Sequence, residues 1–502
     1  MKWDREKVAT CGLAILIAYV ALAGVFRAAS KPFWFDELCT LTMAQQPRVS
    51  KIWEALRGAA DSHPPPFYVA ERLAGAVVPN EHIAYRLPSI LALCCVVFCV
   101  FVFVRRRSGS IHAIVCAVVP LLSILYTYYG AEARGYAPAT ACVALALVCY
   151  QNAHGIRWAV LMGLSLVAAS VAHYYAVFAL VPLAWAEAAY LWKMRQLRWS
   201  VWLAIICGVA PLIVYFPMLS DLKQYYGAHY WAGAQATPAK VAEIYGSLFN
   251  LAGAMGVAIC VVAALGVVEA AWPQGFHKDE PPRTLDEFIH EKVLVLGLLG
   301  LPFVFFLAMK VARGGMVSRY LLETVLGFSL AVGLILPRLQ RRSVIFVGTM
   351  LVSAFAIQET FFWVSQRHNL GKINSPAVAV EELVNAAGRQ DLPVVISDGH
   401  EYLQFVHYAP QETAHRYVAL TDVSAAMTYA GSDMLDKDLL ALRPYAPVQV
   451  YQFQDFSAKH SQFLLYSDGE YWDWWSARLL DENYVLRLVG IRGNRRVYLV
   501  TK

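Results

Sequence analysis

Long apolar stretches recur along the chain up to about residue 365, and short polar segments separate them. A transmembrane helix needs about 20 mainly apolar residues, and about eleven windows approach that length. The pattern therefore predicts a polytopic α-helical membrane protein. The windows lie near residues 8–29, 83–104, 111–129, 135–150, 156–172, 174–192, 200–219, 250–271, 293–310, 320–337 and 343–364.

Basic residues in the connecting segments predict the orientation of these helices, because Lys and Arg in short loops favour the cytoplasmic side. Three basic residues precede the first window, and every second connection after it is basic or contains basic residues. An odd number of spans then places the C-terminus on the outer face. The basic segments hold Lys2, Arg5 and Lys7, then RRR at 105–107, HGIR at 154–157, KMRQLR at 193–198, HKDEPPR at 277–283 and RLQRR at 338–342.

The pattern changes near residue 365, where long apolar windows give way to mixed charge and short β-branched or aromatic runs. These runs alternate with helix-like stretches such as AVAVEELVNAAG (377–388), as in a small α/β domain. We therefore predict a transmembrane domain at 1–364 and an extracytoplasmic α/β domain at 365–502. The expected strands are PVVIS (393–397), VQVYQF (448–453), FLLY (463–466) and YVLRLVGI (484–491).

Composition agrees with a membrane protein and narrows the choice of partners. The 502 residues are 58% hydrophobic and 16% charged, and the mean hydropathy is +0.47. The net charge of +6 is explained by the basic inner segments, so it indicates no nucleic-acid partner. Nine of the ten cysteines lie in apolar windows, where thiols usually act as small hydrophobic groups. Disulfides and thiolate metal sites are not expected.

A doubled carboxylate follows the first window, in PFWFDEL at 32–38. A carboxylate costs about 2.5–3.5 kcal/mol at a bilayer centre and less near the interface. Asp36 and Glu37 are expected at the outer interface, where that cost is small. Two structural interpretations stay open: the aromatic residues form an interfacial belt, and Asp36 only caps the helix that follows.

Other ionisable and aromatic residues are predicted to share the outer face with this pair. DSHPPPFYV at 61–69 contains Asp61 and His63. The next outer turns hold EARGY, where Glu132 and Tyr136 are four residues apart and are expected on one helix face, and then HYY and VARGGMVSRY. Together they indicate a site where acid–base groups and phosphate-binding cations meet. The candidate substrate-binding residues are His63, Glu132, Arg134, Tyr136, His173, Tyr174, Arg319 and Tyr320.

In sequence order, FDEL, SHPPPFY, EARGY, HYY and SRYLLE resemble motifs of the GT-C class of membrane glycosyltransferases. More narrowly, the chain is similar to the dolichyl-phosphate-mannose protein mannosyltransferase-like bacterial family, which includes the lipid A aminoarabinose transferase and the rhizobial galacturonosyltransferases. The resemblance covers about residues 8–340. The C-terminal segment carries no matching motif, and its SDGH (397–400) is expected to be a turn at a strand end.

The resemblance implies an inverting glycosyltransferase of the inner membrane that works at the periplasmic face. It would move a sugar from a polyprenyl-phosphate donor to an acceptor hydroxyl on a glycolipid, polysaccharide or protein of the envelope. One carboxylate suffices as general base, so Asp36 is the candidate base and Glu37 its supporting neighbour. Arginine's planar fork suits phosphate oxygens, so Arg319 and Arg134 are the candidate phosphate ligands.

Three alternatives remain open at this stage. No cofactor is expected, but Asp36, Glu37 and His63 offer the hard ligands that Mg²⁺ or Mn²⁺ prefers. A transporter or lipid flippase with an outer sensor domain would need ionisable residues near the span centres and a twofold repeat, and neither is evident in the sequence. A purely structural membrane anchor for the outer domain would leave the loop carboxylates unexplained.

Overall fold

The computed structural model describes residues 5–153, 155–227, 232–251, 253–271, 288–367, 373, 376–386, 388–470 and 472–502. The segments HGIR (154–157) and HKDEPPR (277–283), used above for the orientation, fall partly or wholly outside these residues. Within the described part, helices make up most of the chain before residue 367, and a mixed sheet with helices follows it. The prediction of a polytopic helical membrane protein with a small C-terminal α/β part is confirmed.

The described α-helices of the membrane part follow one another closely and are mostly apolar. They are α1 (Arg5–Ser30), α2 (Phe35–Ala44), α3 (Val49–Arg57), α4 (Pro65–Val77), α5 (Glu81–Ala84), α6 (Leu87–Ser108), α7 (Ser110–Val118), α8 (Ile124–Tyr129), α9 (Tyr136–Gln151), α10 (Ile156–Ala172), α11 (Leu180–Met194), α12 (Trp199–Cys207), α13 (Ala210–Tyr226), α14 (Pro238–Phe249), α15 (Ala254–Ala271), α16 (Ile289–Leu299), α17 (Leu301–Ala312), α18 (Glu323–Ile335) and α19 (Arg341–Gln366).

Six segments among the described residues are long and apolar enough to cross a membrane: Glu6–Ser30, Glu81–Ser108, Tyr174–Met194, Trp199–Tyr226, Ser318–Ile335 and Arg342–Gln366. A seventh results if α16 and α17, which are bent by 56° at Gly300, form one span. Four shorter apolar helices are Ser110–Leu122, Tyr136–Gln151, Ile156–Ala172 and Met255–Leu265. These segments follow the predicted windows in order, while the count of about eleven spans stays a prediction.

Helix is the expected structure for these apolar segments, because a helix satisfies its backbone hydrogen bonds internally and lipid offers no partners. Large apolar side chains also point outward, as expected for surfaces that face lipid rather than water: Ile15, Leu22 and Phe361 are 70%, 71% and 73% exposed. The chain reverses sharply between α6 and α7 at Gly109, whose φ of 82° favours glycine. The basic RRR triplet lies at that reversal.

Three short helices, α2 to α4, follow α1 and form the loop that carries PFWFDEL and DSHPPPFYV. Pro65 and Pro66 occupy the first turn of α4, where a missing N–H costs nothing. The triple proline therefore starts a helix as well as ending the preceding loop. Ile52 and Leu56 of α3 are buried, so this loop is packed against the rest of the molecule.

The described residues from Pro376 to Lys502, called the C-terminal domain below, form one six-stranded sheet in the order β3-β2-β1-β4-β6-β5. Strands β1 to β4 are parallel where they pair, and β6 runs antiparallel to β4 and β5. The four predicted strands correspond to β1, β3, β4 and β5, whereas β2 and β6 were not predicted. The elements are β1 (Val394–Ile396), β2 (Tyr417–Thr421), β3 (Val450–Gln452), β4 (Gln462–Ser467), β5 (Val485–Arg492), β6 (Arg495–Thr501), α20 (Pro376–Ala386), α21 (Gly399–Tyr408), α22 (Gln411–Ala414), α23 (Val423–Tyr429), α24 (Met434–Leu442), α25 (Phe453–Lys459) and α26 (Trp475–Asp481).

The C-terminal domain packs directly on the loop that contains Asp36. One buried apolar cluster includes Phe33 and Phe35 from that loop together with Tyr402 and Phe405 from α21. The backbone N–H of Phe33 donates a hydrogen bond to the Tyr408 hydroxyl at 2.7 Å. The two parts therefore share a core. The loop formed by α2 to α4, called the carboxylate loop below, lies between them.

Candidate active site

Asp36 lies in the first turn of α2, and its side chain is partly open. The residue before the helix is Trp34, whose N–H donates to Glu37 at 3.3 Å, so Asp36 is not the helix cap. Its side chain is 20% exposed and makes no hydrogen bond among the described residues. The Oδ2 atom lies 3.6 Å from Nη2 of Arg319 and 3.9 Å from Nη2 of Arg134. This carboxylate is held near two cations but remains free to accept a proton.

Glu37 has the opposite environment, although it is adjacent in sequence. It is fully buried, and its two carboxylate oxygens accept hydrogen bonds from Arg86 Nε and Nη2 at 2.7 and 2.6 Å. The Ala133 N–H donates to the same carboxylate at 2.8 Å. Burial acts to raise the pKa of Glu37, but the charge and hydrogen bonds of Arg86 outweigh it and hold that pKa below its usual value. Glu37 is therefore occupied by the protein itself.

Arg86, which the sequence analysis did not select, joins the first span to the carboxylate loop. Its guanidinium donates to the carbonyls of Ala28 and Lys31 at 2.7 and 2.6 Å and to that of Pro32 at 3.0 Å. These carbonyls come from the end of α1 and the residues after it, where a helix leaves acceptors without partners. Arg86 satisfies them together with Glu37, and so it sets where α2 starts. The signal in the sequence was an arginine near the start of the predicted span at 83–104.

Arg134 organises a second carboxylate, Asp61. Its Nη1 lies 3.0 Å from Asp61 Oδ2, and it also donates to the Asp36 carbonyl and the Thr40 hydroxyl at 3.0 Å each. The Arg134 side chain is only 4% exposed. Burial raises the pKa of Asp61, the charge of Arg134 opposes that rise, and the nearby Asp36 adds to it. The Nη1 atom of Arg134 thus holds the loop, while its Nε is buried without a hydrogen-bond partner, and its role as a phosphate ligand stays a prediction.

Arg319 is a partly exposed cation beside Asp36. Its side chain is 20% exposed, and its Nε is buried without a hydrogen-bond partner. The guanidinium carbon lies 5.8 Å from the ring centres of Trp34 and Tyr136 and 5.6 Å from that of Tyr320, within cation–π range. These rings hold the guanidinium beside Asp36 without neutralising it.

His63 and His173 form one aromatic cluster with Tyr136 and Tyr320, next to Arg319. The ring centre of His173 lies 5.1 Å from that of His63, 4.9 Å from that of Tyr136 and 5.4 Å from that of Tyr320. Burial, followed by the charge of Arg134, holds the pKa of His63 well below its usual value, so this imidazole is neutral. Both of its ring nitrogens are buried without a hydrogen-bond partner.

Tyr174 lies outside this cluster, contrary to the prediction that it joins the site. Its hydroxyl donates to the Met218 sulfur at 3.8 Å, and its ring packs against Tyr215. The next residue, Tyr175, contacts Tyr320 instead, with ring centres 4.7 Å apart. The chain turns into a 3₁₀-helix at this point, so adjacent tyrosines point in different directions. The sequence motif HYY could not distinguish them.

Glu132 is also placed differently from the prediction. It lies in the turn between α8 and α9, since α9 begins only at Tyr136, so the two residues do not share a helix face. Its carboxylate is buried and pairs with Lys31 Nζ at 2.5 Å. Burial raises the pKa of Glu132 to about 7 against the opposing charge of Lys31. Glu132 therefore fixes the end of α1 rather than facing the space around Asp36.

The ligand set considered for a divalent metal is not assembled. Both oxygens of Glu37 are bound by Arg86, so they do not point toward His63. Among the residues that the structure describes, no group of three or more His, Cys, Asp or Glu side chains is arranged to hold a metal ion. The alternative of Asp36, Glu37 and His63 as joint ligands is therefore not supported by the geometry.

His400 and Asp438 of the C-terminal domain also lie near the loop that carries Asp36. Neither residue was predicted from the sequence to belong to the site. The His400 ring centre lies 5.3 Å from that of Phe35. Asp438 accepts a hydrogen bond from the Tyr226 hydroxyl at 2.5 Å. Burial, together with the charges of Asp36 and Asp61, raises the pKa of Asp438 to about 7. SDGH follows the end of β1, as predicted, but its last two residues begin α21, and the start of this helix brings His400 to the carboxylate loop.

Comparisons with known proteins place the whole arrangement in a recognised fold. No protein-family model matches the sequence, and no curated relative matches it. The structure is similar to ArnT from Cupriavidus metallidurans in the apo state, with a TM-score of 0.59 and 11% identity over 98% of both chains. The same protein bound to undecaprenyl phosphate gives a TM-score of 0.55 and 11% identity over 97% of this chain and 98% of that one.

An oligosaccharyltransferase from Archaeoglobus fulgidus, tethered to an acceptor peptide, aligns over 100% of this chain and 75% of that one with a TM-score of 0.46 and 12% identity. The similarity to ArnT extends through the C-terminal domain as well as the membrane helices, because it covers nearly the full length of both chains. The protein therefore has the fold of a GT-C membrane glycosyltransferase.

Proposed function

From the GT-C fold and the isolated Asp36 carboxylate, we propose that the protein is an inverting glycosyltransferase. It transfers a sugar from a polyprenyl-phosphate donor to a hydroxyl of an acceptor in the cell envelope. The observation that carries the proposal is the unequal treatment of two adjacent carboxylates. Glu37 is buried against Arg86, whereas Asp36 is partly exposed, makes no hydrogen bond with any described residue, and lies 3.6 Å from Arg319.

Asp36 is proposed as the general base. It accepts the proton of the acceptor hydroxyl while that oxygen attacks the anomeric carbon of the donor sugar. The new bond joins the acceptor oxygen to the anomeric carbon, and the bond from that carbon to the phosphate oxygen breaks with its electron pair on the phosphate. Attack opposite the leaving group inverts the anomeric configuration. Glu37 and Arg134 are positioning residues, because they hold the loop that aims Asp36.

Arg319 is proposed to bind the donor phosphate. Polyprenyl phosphate leaves as an anion, so no acid is needed to protonate it, unlike the sugar leaving group of a glycosidase. A guanidinium can stabilise the growing negative charge through two parallel hydrogen bonds. Arg319 has unused donors beside Asp36, and the rings of Tyr136 and Tyr320 limit the directions that its side chain can take. The similar structure of ArnT with undecaprenyl phosphate bound supports a lipid-linked phosphate as the donor carrier.

We also propose that the site faces the periplasm of an inner membrane. The support is the distribution of charge: Arg105, Arg106 and Arg107 end the second predicted span, and basic loops favour the cytoplasm. The carboxylate loop and the C-terminal domain then lie on the opposite side. A reporter enzyme that works only in the periplasm should be active when it is fused after Lys502. Activity of only a cytoplasmic reporter at this position would contradict this orientation.

The function is tested by Asp36→Asn, which keeps the size of the side chain but cannot accept the proton. Transfer from a polyprenyl-phosphate sugar should fall about 100-fold to 10,000-fold, the range typical of lost acid–base catalysis. Because Asp36 makes no hydrogen bond in the described structure, thermal stability should remain that of the wild type. Wild-type transfer by a well-folded Asp36→Asn protein would refute the role of Asp36.

A further inference from the structure

The C-terminal domain contacts the carboxylate loop through α21, the helix that follows the central strand β1. In the order β3-β2-β1-β4-β6-β5, the chain leaves β1 toward β2 on one side, and β4 returns to the other side. Connections that diverge in this way open a crevice at the carboxyl ends of the parallel strands, where open α/β sheets bind their ligands. SDGH follows β1 directly, so His400 lies at that crevice.

Helix α21 is held against the loop at both of its ends. At its start the His400 ring packs against Phe35, the residue before Asp36, and at its end Tyr408 binds the N–H of Phe33. A Cβ atom on Gly399 would lie 2.9 Å from Leu439 Cδ1, too close for ordinary packing. The glycine therefore allows the start of α21 to approach α24, which carries Asp438.

The His400 ring is oriented, yet one of its nitrogens remains available. Asp398 Oδ1 accepts from the His400 N–H at 2.8 Å and lies 3.1 Å from Nδ1. Among the described residues Nε2 makes no hydrogen bond, and the side chain is 37% exposed. Although burial acts to lower the pKa of His400, the hydrogen bond to Asp398 and the charges of Asp398, Asp36 and Asp438 together raise it. Nε2 is therefore the ring nitrogen of His400 that remains to contact a bound molecule.

The charges on this side of Asp36 differ from those on the other side. Arg319 supplies a cation for the donor phosphate, whereas the side nearer the C-terminal domain holds the carboxyl groups of Asp438 and of Asp61, which is paired with Arg134 at 3.0 Å. Carboxyl groups can form hydrogen bonds with the hydroxyl groups of a bound molecule. The Trp472 ring, 5.2 Å from that of His400, adds an apolar surface. A sugar presents both hydroxyl groups and apolar faces, so this surface suits a sugar.

We propose that the C-terminal domain forms the acceptor side of the active site, where His400 and Asp438 hold a hydroxyl-bearing carbohydrate. The proposal rests on the glycosyl transfer proposed above and adds the class of the acceptor and the residues that bind it. It also gives a reason for the contacts that hold both ends of α21 against the carboxylate loop.

The test uses the full chain with His400→Ala and His400→Gln. The control is His415→Gln. His415 is exposed and precedes β2, so it lies at the amino ends of the parallel strands, whereas His400 lies at their carboxyl ends. Each variant replaces the wild-type copy in cells, and mass spectrometry of envelope glycans measures transfer and identifies the sugar residue that was modified. Thermal stabilisation of the purified proteins by undecaprenyl phosphate measures the donor side separately.

We expect His400→Ala to reduce transfer about 10-fold to 100-fold, as for a lost hydrogen bond to a charged group. Stabilisation by undecaprenyl phosphate should be unchanged, His400→Gln should recover part of the transfer, and the control should match the wild type. Wild-type transfer by His400→Ala, while Asp36→Asn is inactive, would overturn the acceptor role alone. Loss of the stabilisation by undecaprenyl phosphate in His400→Ala would overturn it too. If Asp36→Asn and Arg319→Ala both retain transfer, the proposed function itself fails.

Discussion

Glu37→Gln should destabilise the protein strongly, although Asp36→Asn next to it should not. The Glu37 carboxylate is fully buried, and it is the charge that balances Arg86, also fully buried. Glutamine keeps the size and one carbonyl oxygen, but its NH₂ group would face the guanidinium donors of Arg86. The substitution therefore leaves a buried cation without its counter-charge.

The size of the effect follows from these contacts. Removing one partner of a buried ion pair typically costs about 3–5 kcal/mol. Arg86→Met should cost more, because it also leaves the carbonyls of Ala28, Lys31 and Pro32 without their donor, and an unsatisfied buried acceptor costs about 1–3 kcal/mol. Asp36 is partly exposed and makes no hydrogen bond among the described residues, so its substitution by Asn should be close to neutral. The expected order of damage is Arg86→Met, then Glu37→Gln, then Asp36→Asn.

The assay is thermal unfolding of the purified variants in one detergent, at one protein concentration and one heating rate, because unfolding of large membrane proteins is often irreversible. Transfer activity is measured on the folded fraction of each variant. We expect Glu37→Gln to melt earlier and to retain more activity per folded molecule than Asp36→Asn. If Glu37→Gln melts with the wild type, the ion pair with Arg86 does not hold the loop. If it is stable but inactive, Glu37 acts in the chemistry.

Three further outcomes are expected. Arg319→Ala should raise the donor concentration needed for half-maximal rate more than Arg319→Lys, because lysine keeps the charge but loses the planar fork; equal and unchanged kinetics would contradict a role in phosphate binding. Tyr408→Phe should speed proteolysis of the C-terminal domain, since the Phe33 N–H loses its acceptor at a cost of about 1–3 kcal/mol; an unchanged cleavage rate would show that this bond does not hold the domain. Burial, with nearby carboxylates, raises the pKa of Asp438 from 3.8 to about 7, so its contribution to stability is complete below about pH 4 and is lost as the pH rises through about 7. Asp438→Asn should remove that part of the decline in melting temperature, and an identical pH profile would refute the shift.

Several features of the site were predictable because they depend on short segments. FDEL, EARGY, HYY and SRYLLE each follow or precede an apolar window, so their positions at one membrane surface follow from the order of the windows. Asp36, Arg319, Tyr136 and Tyr320 do lie together in the structure. The roles of neighbouring residues were less accessible, because a difference of one position in a turn reverses the direction of a side chain. Tyr174 and Tyr175 show this.

Local sequence patterns were enough to predict a polytopic helical membrane protein with a small α/β part. Apolar periodicity and length are local properties, and in lipid they leave the backbone little choice except helix. The change in pattern near residue 365 likewise indicated a separate α/β part, and short β-branched runs located four of its six strands. Strands β2 and β6 were missed, although both contain apolar residues, because strand formation depends on the neighbours that a segment pairs with.

Which of the two adjacent carboxylates is partly exposed depends on contacts between distant parts of the chain. Glu37 and Arg86 are 49 positions apart, and Arg134 and Asp61 are 73 apart, so no local pattern reveals that they pair. The pairing depends on which helix ends meet, and burial then makes each ion pair decisive for the protonation and position of its members. Among the described residues the Asp36 side chain makes no hydrogen bond, although Arg319 and Arg134 lie 3.6 and 3.9 Å from it, and the letters FDEL alone do not reveal this arrangement.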